Sequence, residues 1–186
     1  MWKYLLSAAM LLGSICNALT ESHVITADYL ETELLSFGSN SLKQRVWFVN
    51  NTNPQAGEGS YANPFNTLVA AQNASREYDI IFVYPGDNTT AGMNQGFVMK
   101  KGQRLLGAGV DHDFFLNGKK FTVAAATTTL PSITNAVGGN GITLANSTHV
   151  EGIHLVNINA GTPILGGDNN PLAPLTPAIG LISCST

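Results

Sequence analysis

Cysteine is nearly absent: two residues in 186, one of them at position 16 close to the N-terminus. If that one is removed in processing, Cys184 stands alone. An internal disulfide is then excluded, and stability must come from packing and backbone hydrogen bonds. Cys184 itself reads as a small buried hydrophobe rather than a reactive thiol. Basic residues vanish from the last third of the chain: after Lys120 there is no Lys or Arg, and the remaining acids are Glu151 and Asp168. Without bases that region can neither neutralise nucleic-acid phosphates nor form a polybasic patch for anionic lipid. Long apolar runs are missing too. The longest, residues 5–15, is about 11 residues against the roughly 20 that cross a bilayer, so no transmembrane span is expected in the mature chain.

That apolar run has a different meaning. Lys3 precedes it and Cys16-Asn17-Ala18 follows, with a small residue at each of the two positions a signal peptidase inspects. Charge, apolar core and small-x-small site in this order predict a secretory signal peptide over residues 1–18, with Leu19 as the mature N-terminus. Lipidation at Cys16 is disfavoured because bulky Ile15 precedes it. The protein is therefore expected outside the cytoplasm: at the cell surface, outer-membrane-associated or extracellular. The formal charge of −3 becomes −4 once Lys3 has gone.

Residues 19–42 form a leader with a possible short helix. Thr26 could cap it, Tyr29, Leu30, Leu34 and Leu35 would share a side, and Gly38 would stop it. The alternative is a loosely held segment ahead of the domain at 43–186. Val46-Trp47-Phe48-Val49 then signals a strand, and the polar, Gly-rich residues 50–63 read as loop. Phe65, Leu68, Val69 and Gln72 follow at helical spacing, with Asn66 as the expected N-cap and an end near Arg76. A second strand, Asp79-Ile80-Ile81-Phe82-Val83-Tyr84, stops at Pro85-Gly86.

Beyond residue 96 the helical period disappears and short apolar bursts recur between Gly, Asn and Thr turns. Ile142-x-Leu144-x-Asn146, Ile153-x-Leu155-x-Asn157 and Ile179-x-Leu181-x-Ser183 share one pattern. The first two are too close to be successive repeats but suit two faces of one coil. The last two have a spacing typical of stacked solenoid repeats. The pattern favours a solenoid and leaves a β-sandwich open.

The order Val46-Trp47-Phe48-Val49, Gly57-x-Gly59-Ser60, Asn63-Pro64-Phe65-x-Thr67-Leu68-x-x-Ala71, then residues 79–86, resembles the opening of pectin-lyase-like right-handed parallel β-helix proteins. It is most like the passenger regions of bacterial autotransporter-type surface proteins. Gly102-Gln103-Arg104-Leu105-Leu106-Gly107-Ala108-Gly109 looks like a further coil. The resemblance implies a mainly β fold: the N-terminal part of a right-handed parallel β-helix, few coils long and truncated within 43–186. A short helix would cap its N-terminal end, presenting Leu68 and Val69 to the core. Because the fold hosts lyases, hydrolases, tailspikes and adhesins, it does not by itself specify an activity.

The chemistry such enzymes need is sparse. Lyases on this fold use a Ca²⁺-binding carboxylate cluster and a base; hydrolases use facing carboxylates. Glu151 and Asp168 are separated by several turns and read as solvated or turn-capping acids. Asp111-His112-Asp113 is the densest ligand-type cluster. On a strand His112 would point away from both acids, whereas in a loop Asp111 and Asp113 could share a cation such as Ca²⁺. His149 and His154 lack the HExxH pattern, Gly107-x-Gly109 lacks the third glycine of a dinucleotide loop, and no Gly-x-Ser-x-Gly elbow occurs. The expectation is no catalytic residue, no cofactor and no resident metal: an exported, non-catalytic, adhesin-like protein whose partner is a host or surface carbohydrate or protein. Two alternatives stand beside it. One is a polysaccharide-acting enzyme whose site lies beyond residue 186. The other is a carbohydrate-binding module using Trp47, Tyr61 or Tyr84 as stacking platforms, with core packing as the competing role of those aromatics. The apolar C-terminal segment, with no charge or cover behind it, predicts self-association through a strand edge.

Overall fold

The computed structural model describes residues 23–29, 44–116, 119–158, 160–166, 178–179 and 182–185. The signal-peptide residues, the leader residues Leu30, Leu34, Leu35 and Gly38, and Asp168 lie outside the described residues.

The chain is mainly β, in several short sheets. Its strands are β1 (His23–Ile25), β2 (Val46–Val49), β3 (Ile80–Val83), β4 (Phe97–Val98), β5 (Arg104–Gly107), β6 (His112–Leu116) and β7 (Lys119–Val123), then β8 (Ser132–Ile133), β9 (Ile142–Thr143), β10 (His149–Glu151), β11 (Ile153–Val156), β12 (Ile164–Leu165), β13 (Ala178–Ile179) and β14 (Ile182–Ser185). A helix, α1 (Leu68–Ala74), falls between β2 and β3, and residues 27–29, directly after Thr26, are also helical. The largest sheet has the order β2-β3-β5-β10-β13, and two smaller ones have the orders β8-β11-β14 and β4-β9-β12; every pairing in these three is parallel. The fourth sheet joins β1 in parallel to β7, which forms an antiparallel hairpin with β6.

Alternation along the largest sheet sets up two apolar layers. Ile81, Leu105 and Val150 lie side by side in register and face one core. Ile133, Ile153 and Leu155 from the second sheet, and Phe97 and Ile142 from the third, complete that core. The intervening residues Phe48, Phe82 and Leu106 face outward, where Phe114 and Val123 of the β6–β7 hairpin cover them together with Ile25 of β1. Burial on both faces explains why β2 and β3 are unbroken apolar runs rather than alternating ones.

The edges at the N-terminal side are closed. Phe48 N–H donates to Gly59 O at 2.9 Å, while Phe65 N–H donates to Phe48 O at 2.9 Å, so a loop strand shields β2. The N–H groups of Phe97 in β4 and of Met99 just after it donate to Gly141 O, just before β9, and to Thr143 O in β9, and the oppositely pointing Val98 N–H donates to Gln72 Oε1 of α1 at 2.7 Å. Lys100 Nζ donates to Gln72 O at 2.7 Å and to Ser75 O, satisfying carbonyls at the C-terminal end of α1 where a cation is favoured.

Several expectations need correction. The N-cap of α1 is Thr67, not Asn66: its backbone is extended and its Oγ1 accepts from Ala70 N at 3.2 Å. The buried pair is Leu68 and Ala71 rather than Leu68 and Val69, because positions three apart share a helix face. Extended Ser75 ends the helix before Arg76, and Phe65 lies outside it, bridging to Val49. The repeat pattern also stacks differently. Ile142 and Ile153 do fall in different sheets, but Ile153 pairs with Ile182 and Ile179 with Val150, so the Ile153 and Ile179 motifs are not stacked equivalents. The reason is a corner. Gly152 adopts φ +70 between β10 and β11, and an added Cβ would lie 2.8 Å from Gly107 O. A single residue there turns the chain from one sheet to the next.

Candidate functional site

The outer face of the largest sheet changes character along its strands. In register, Val46 and Ile80 give way to Arg104 and His149, and Phe48, Phe82 and Leu106 give way to Glu151. His149 and Glu151 project from the same face of β10 because they are two residues apart. His112, the first residue of β6, comes down onto this face from the hairpin above.

The three side chains converge on one oxygen. His112 Nδ1 lies 3.1 Å from Glu151 Oε2, and His149 Nε2 lies 3.2 Å from the same atom. His112 Nε2 donates to the carbonyl of Gly107 at 2.8 Å, and its ring stands edge-on to Phe82 with centroids 5.8 Å apart. His112 is 0% exposed, whereas the Glu151 and His149 side chains keep 28% and 25%. Burial pushes the Glu151 carboxyl up. The hydrogen bonds and charges of His112 and His149 more than offset this, holding it below its ordinary value. Arg104 lies beside the cluster with its guanidinium carbon 4.3 Å from the centre of the Phe114 ring. Burial lowers its pKa, against the opposing pull of Glu151 and Asp113.

The Asp111-His112-Asp113 segment is thus a strand entry rather than an Asp-rich loop, and His112 does point away from both acids. The two acids are engaged separately. Asp111 Oδ1 accepts from Ala125 N at 2.8 Å, while Asp113 accepts from Thr122 Oγ1 at 2.7 Å and pairs with Lys120 at 3.0 Å. Among the described residues no group of three or more His, Cys, Asp or Glu side chains could hold a metal ion. His154 sits on a different sheet from His149, and its Nδ1 lies 3.4 Å from Ser132 Oγ. Cys184 is in β14, its backbone opposite Leu155. Gly107 packs directly against Gly152 rather than opening a phosphate loop.

The aromatic candidates divide. Trp47 is 8% exposed, stacks on Phe65 and under Arg45, and donates from Nε1 to Asp79 Oδ2 at 2.8 Å. Tyr84 is half-buried against Phe48 and Phe82, and Tyr61, 44% exposed, meets Phe48 edge-on. Asp79 was read only as the start of a strand. It is a buried carboxylate that also accepts from the backbone N–H groups of Arg45 and Arg76, at 3.0 and 2.8 Å. A lone acid heading a β-branched run, next to a Trp strand, is the signal that could have marked it.

No protein-family profile, curated protein or solved structure matches this chain.

Proposed function

We propose that this chain is an exported, non-catalytic structural or interaction protein built as a right-handed parallel β-helix. Its sequence motifs resemble the passenger regions of autotransporter-type surface proteins, with a carbohydrate or protein of a host or cell surface as partner. The observation that carries the reading is the strand order. From β5 in the largest sheet the chain makes the β6–β7 hairpin, then enters the β8-β11-β14 sheet and the β4-β9-β12 sheet, and from β10 it repeats the rotation through the three sheets to β14. Parallel neighbours need a long return path between them. Passage through two other sheets supplies one, and parallel crossovers are right-handed in about 98% of cases. Helix α1 fits the role of terminal cap, since Leu68 and Ala71 cover the core while Gln72 satisfies the edge of β4.

The non-catalytic part of the reading is supported by how the acids are used. Asp79 is held by three N–H groups, Glu151 by two imidazoles, and Asp113 by Thr122 and Lys120. Incubation with pectate or another uronate polymer, with and without Ca²⁺, is expected to release no unsaturated ends. Turnover that disappears in Glu151→Gln would overturn this. N-terminal sequencing of exported protein should begin at Leu19; an intact Met1 on that material would refute processing. β13 and β14 are the outermost strands of their sheets among the described residues. The expected self-association through that edge predicts concentration-dependent sedimentation, and a monomer across the micromolar range would defeat it.

A further inference from the structure

His112 is a fully enclosed imidazole with an oxygen at each ring nitrogen: the Glu151 carboxylate at Nδ1 and the Gly107 carbonyl at Nε2. A neutral imidazole has one N–H and one lone pair. Beside an ionised Glu151, either tautomer would press a lone pair of this buried ring against an oxygen, leaving a buried acceptor without its donor. With Glu151 ionised, as its lowered pKa requires near neutral pH, only the doubly protonated ring satisfies both contacts, and the carboxylate is its counter-charge.

We propose that His112 and Glu151 form a proton-dependent latch fastening the β6–β7 hairpin over the outer apolar face of the largest sheet. The latch joins hairpin to sheet at two points, Glu151 on β10 and Gly107 on β5, beside the Phe48, Phe82 and Leu106 layer that the hairpin covers. The neighbouring groups favour the ionised carboxylate of the closed form. His149 from β10 gives Glu151 a second donor, and Arg104 from β5 adds positive charge next to it. Asp113 of β6 faces the other way and is paired with Lys120 of β7, Asp111 is bound to Ala125 N, and β3 offers only the apolar Phe82 ring. The latch is closed while Glu151 is ionised and His112 holds both protons. Because the Glu151 pKa is depressed in the folded protein, its contribution is present above the usual glutamate value (~4.3). That contribution is lost as pH falls through the lower folded value. A His112 ring carrying a single proton would turn a lone pair toward one of the two oxygens, and that contact would be lost.

Hydrogen-exchange protection factors, corrected for intrinsic pH dependence, test this on the full chain by comparing residues 112–123 with β3. Wild-type hairpin protection should peak at intermediate pH and fall about tenfold or more at either side while β3 stays protected. Glu151→Gln should lose the acid limb and His112→Gln the alkaline limb. A flat wild-type profile, or the unchanged profile in both variants, would overturn the latch. Should either variant lose its β3 protection, the ¹⁵N shifts of the wild-type His112 ring decide. Two protonated nitrogens at the protection maximum support the proposal, and a neutral tautomer there refutes it.

Discussion

The two faces of the largest sheet are built from the same five strands but by different rules. On the inner face Ile81, Leu105 and Val150 lie in one apolar row against a core shared with the two smaller sheets. The outer face begins apolar on β2 and β3 and turns ionic on β5 and β10, where Arg104, His149 and Glu151 meet His112 and Phe114 of the hairpin. The inner face holds the sheets together by non-directional burial. The outer face docks one specific hairpin through directional, charge-assisted contacts. Both faces thus gain from apolar burial, and the outer one adds polar contacts that are specific to the hairpin.

Substitutions on the two faces should separate these roles. The largest effect is expected from Leu105→Ala on the inner face, which leaves a cavity beneath fully buried neighbours and should cost about 3 kcal/mol. A denaturant midpoint unchanged within error would break the comparison at its root. Gly152→Ala places a Cβ against Gly107 O in a left-handed backbone, and about 2 kcal/mol is expected from the conformation before any clash. Thermal unfolding at matched pH checks it, and a wild-type midpoint would mean the corner can relax. On the outer face, Glu151→Gln should cost about 1 kcal/mol near neutral pH. The hydrogen bonds are charge-assisted, but the carboxylate is partly solvated and screened. This variant should also lose less stability than wild type as pH falls, because the depressed carboxyl no longer takes up a proton on unfolding. Parallel acid titrations of the two proteins would expose a wrong sign. The smallest effect, within about 0.5 kcal/mol, is expected for Lys120→Ala, whose ion pair with Asp113 is half-exposed on both sides. A larger loss in chemical denaturation would show that the solvent side of the hairpin shares in its attachment.

Local signals made part of this readable. β2 and β3 were legible as apolar, β-branched or aromatic runs, the second stopped by Pro85-Gly86, and α1 was legible from its spacing. Its cap was misplaced by one residue because Asn66 and Thr67 are both good caps, and only the Thr67 hydroxyl meets Ala70 N. For the outer cluster, the sequence places His149 and Glu151 two apart, enough to put them on one face of a strand. It offers no sign of the partner, because His112 lies 39 residues away. The β6–β7 hairpin escaped notice because Asp111 and Asp113 gave its entry the look of a polar loop, while its inward side carries His112, Phe114, Phe121 and Val123 in alternation.

By itself the sequence determined what depends on neighbours along the chain: a mainly β composition, the strand runs, a short helix, the absence of bases after Lys120, and the signal-peptide pattern. Those follow from side-chain periodicity, turn residues and charge, all local. Only the tertiary structure decided which residues stack, that Gly152 turns the chain against Gly107, that Asp79 gathers three N–H groups, and that His112 reaches Glu151. Each of these depends on parallel pairing between strands far apart in sequence, where register is set by how the buried faces fit together and not by any run of adjacent residues.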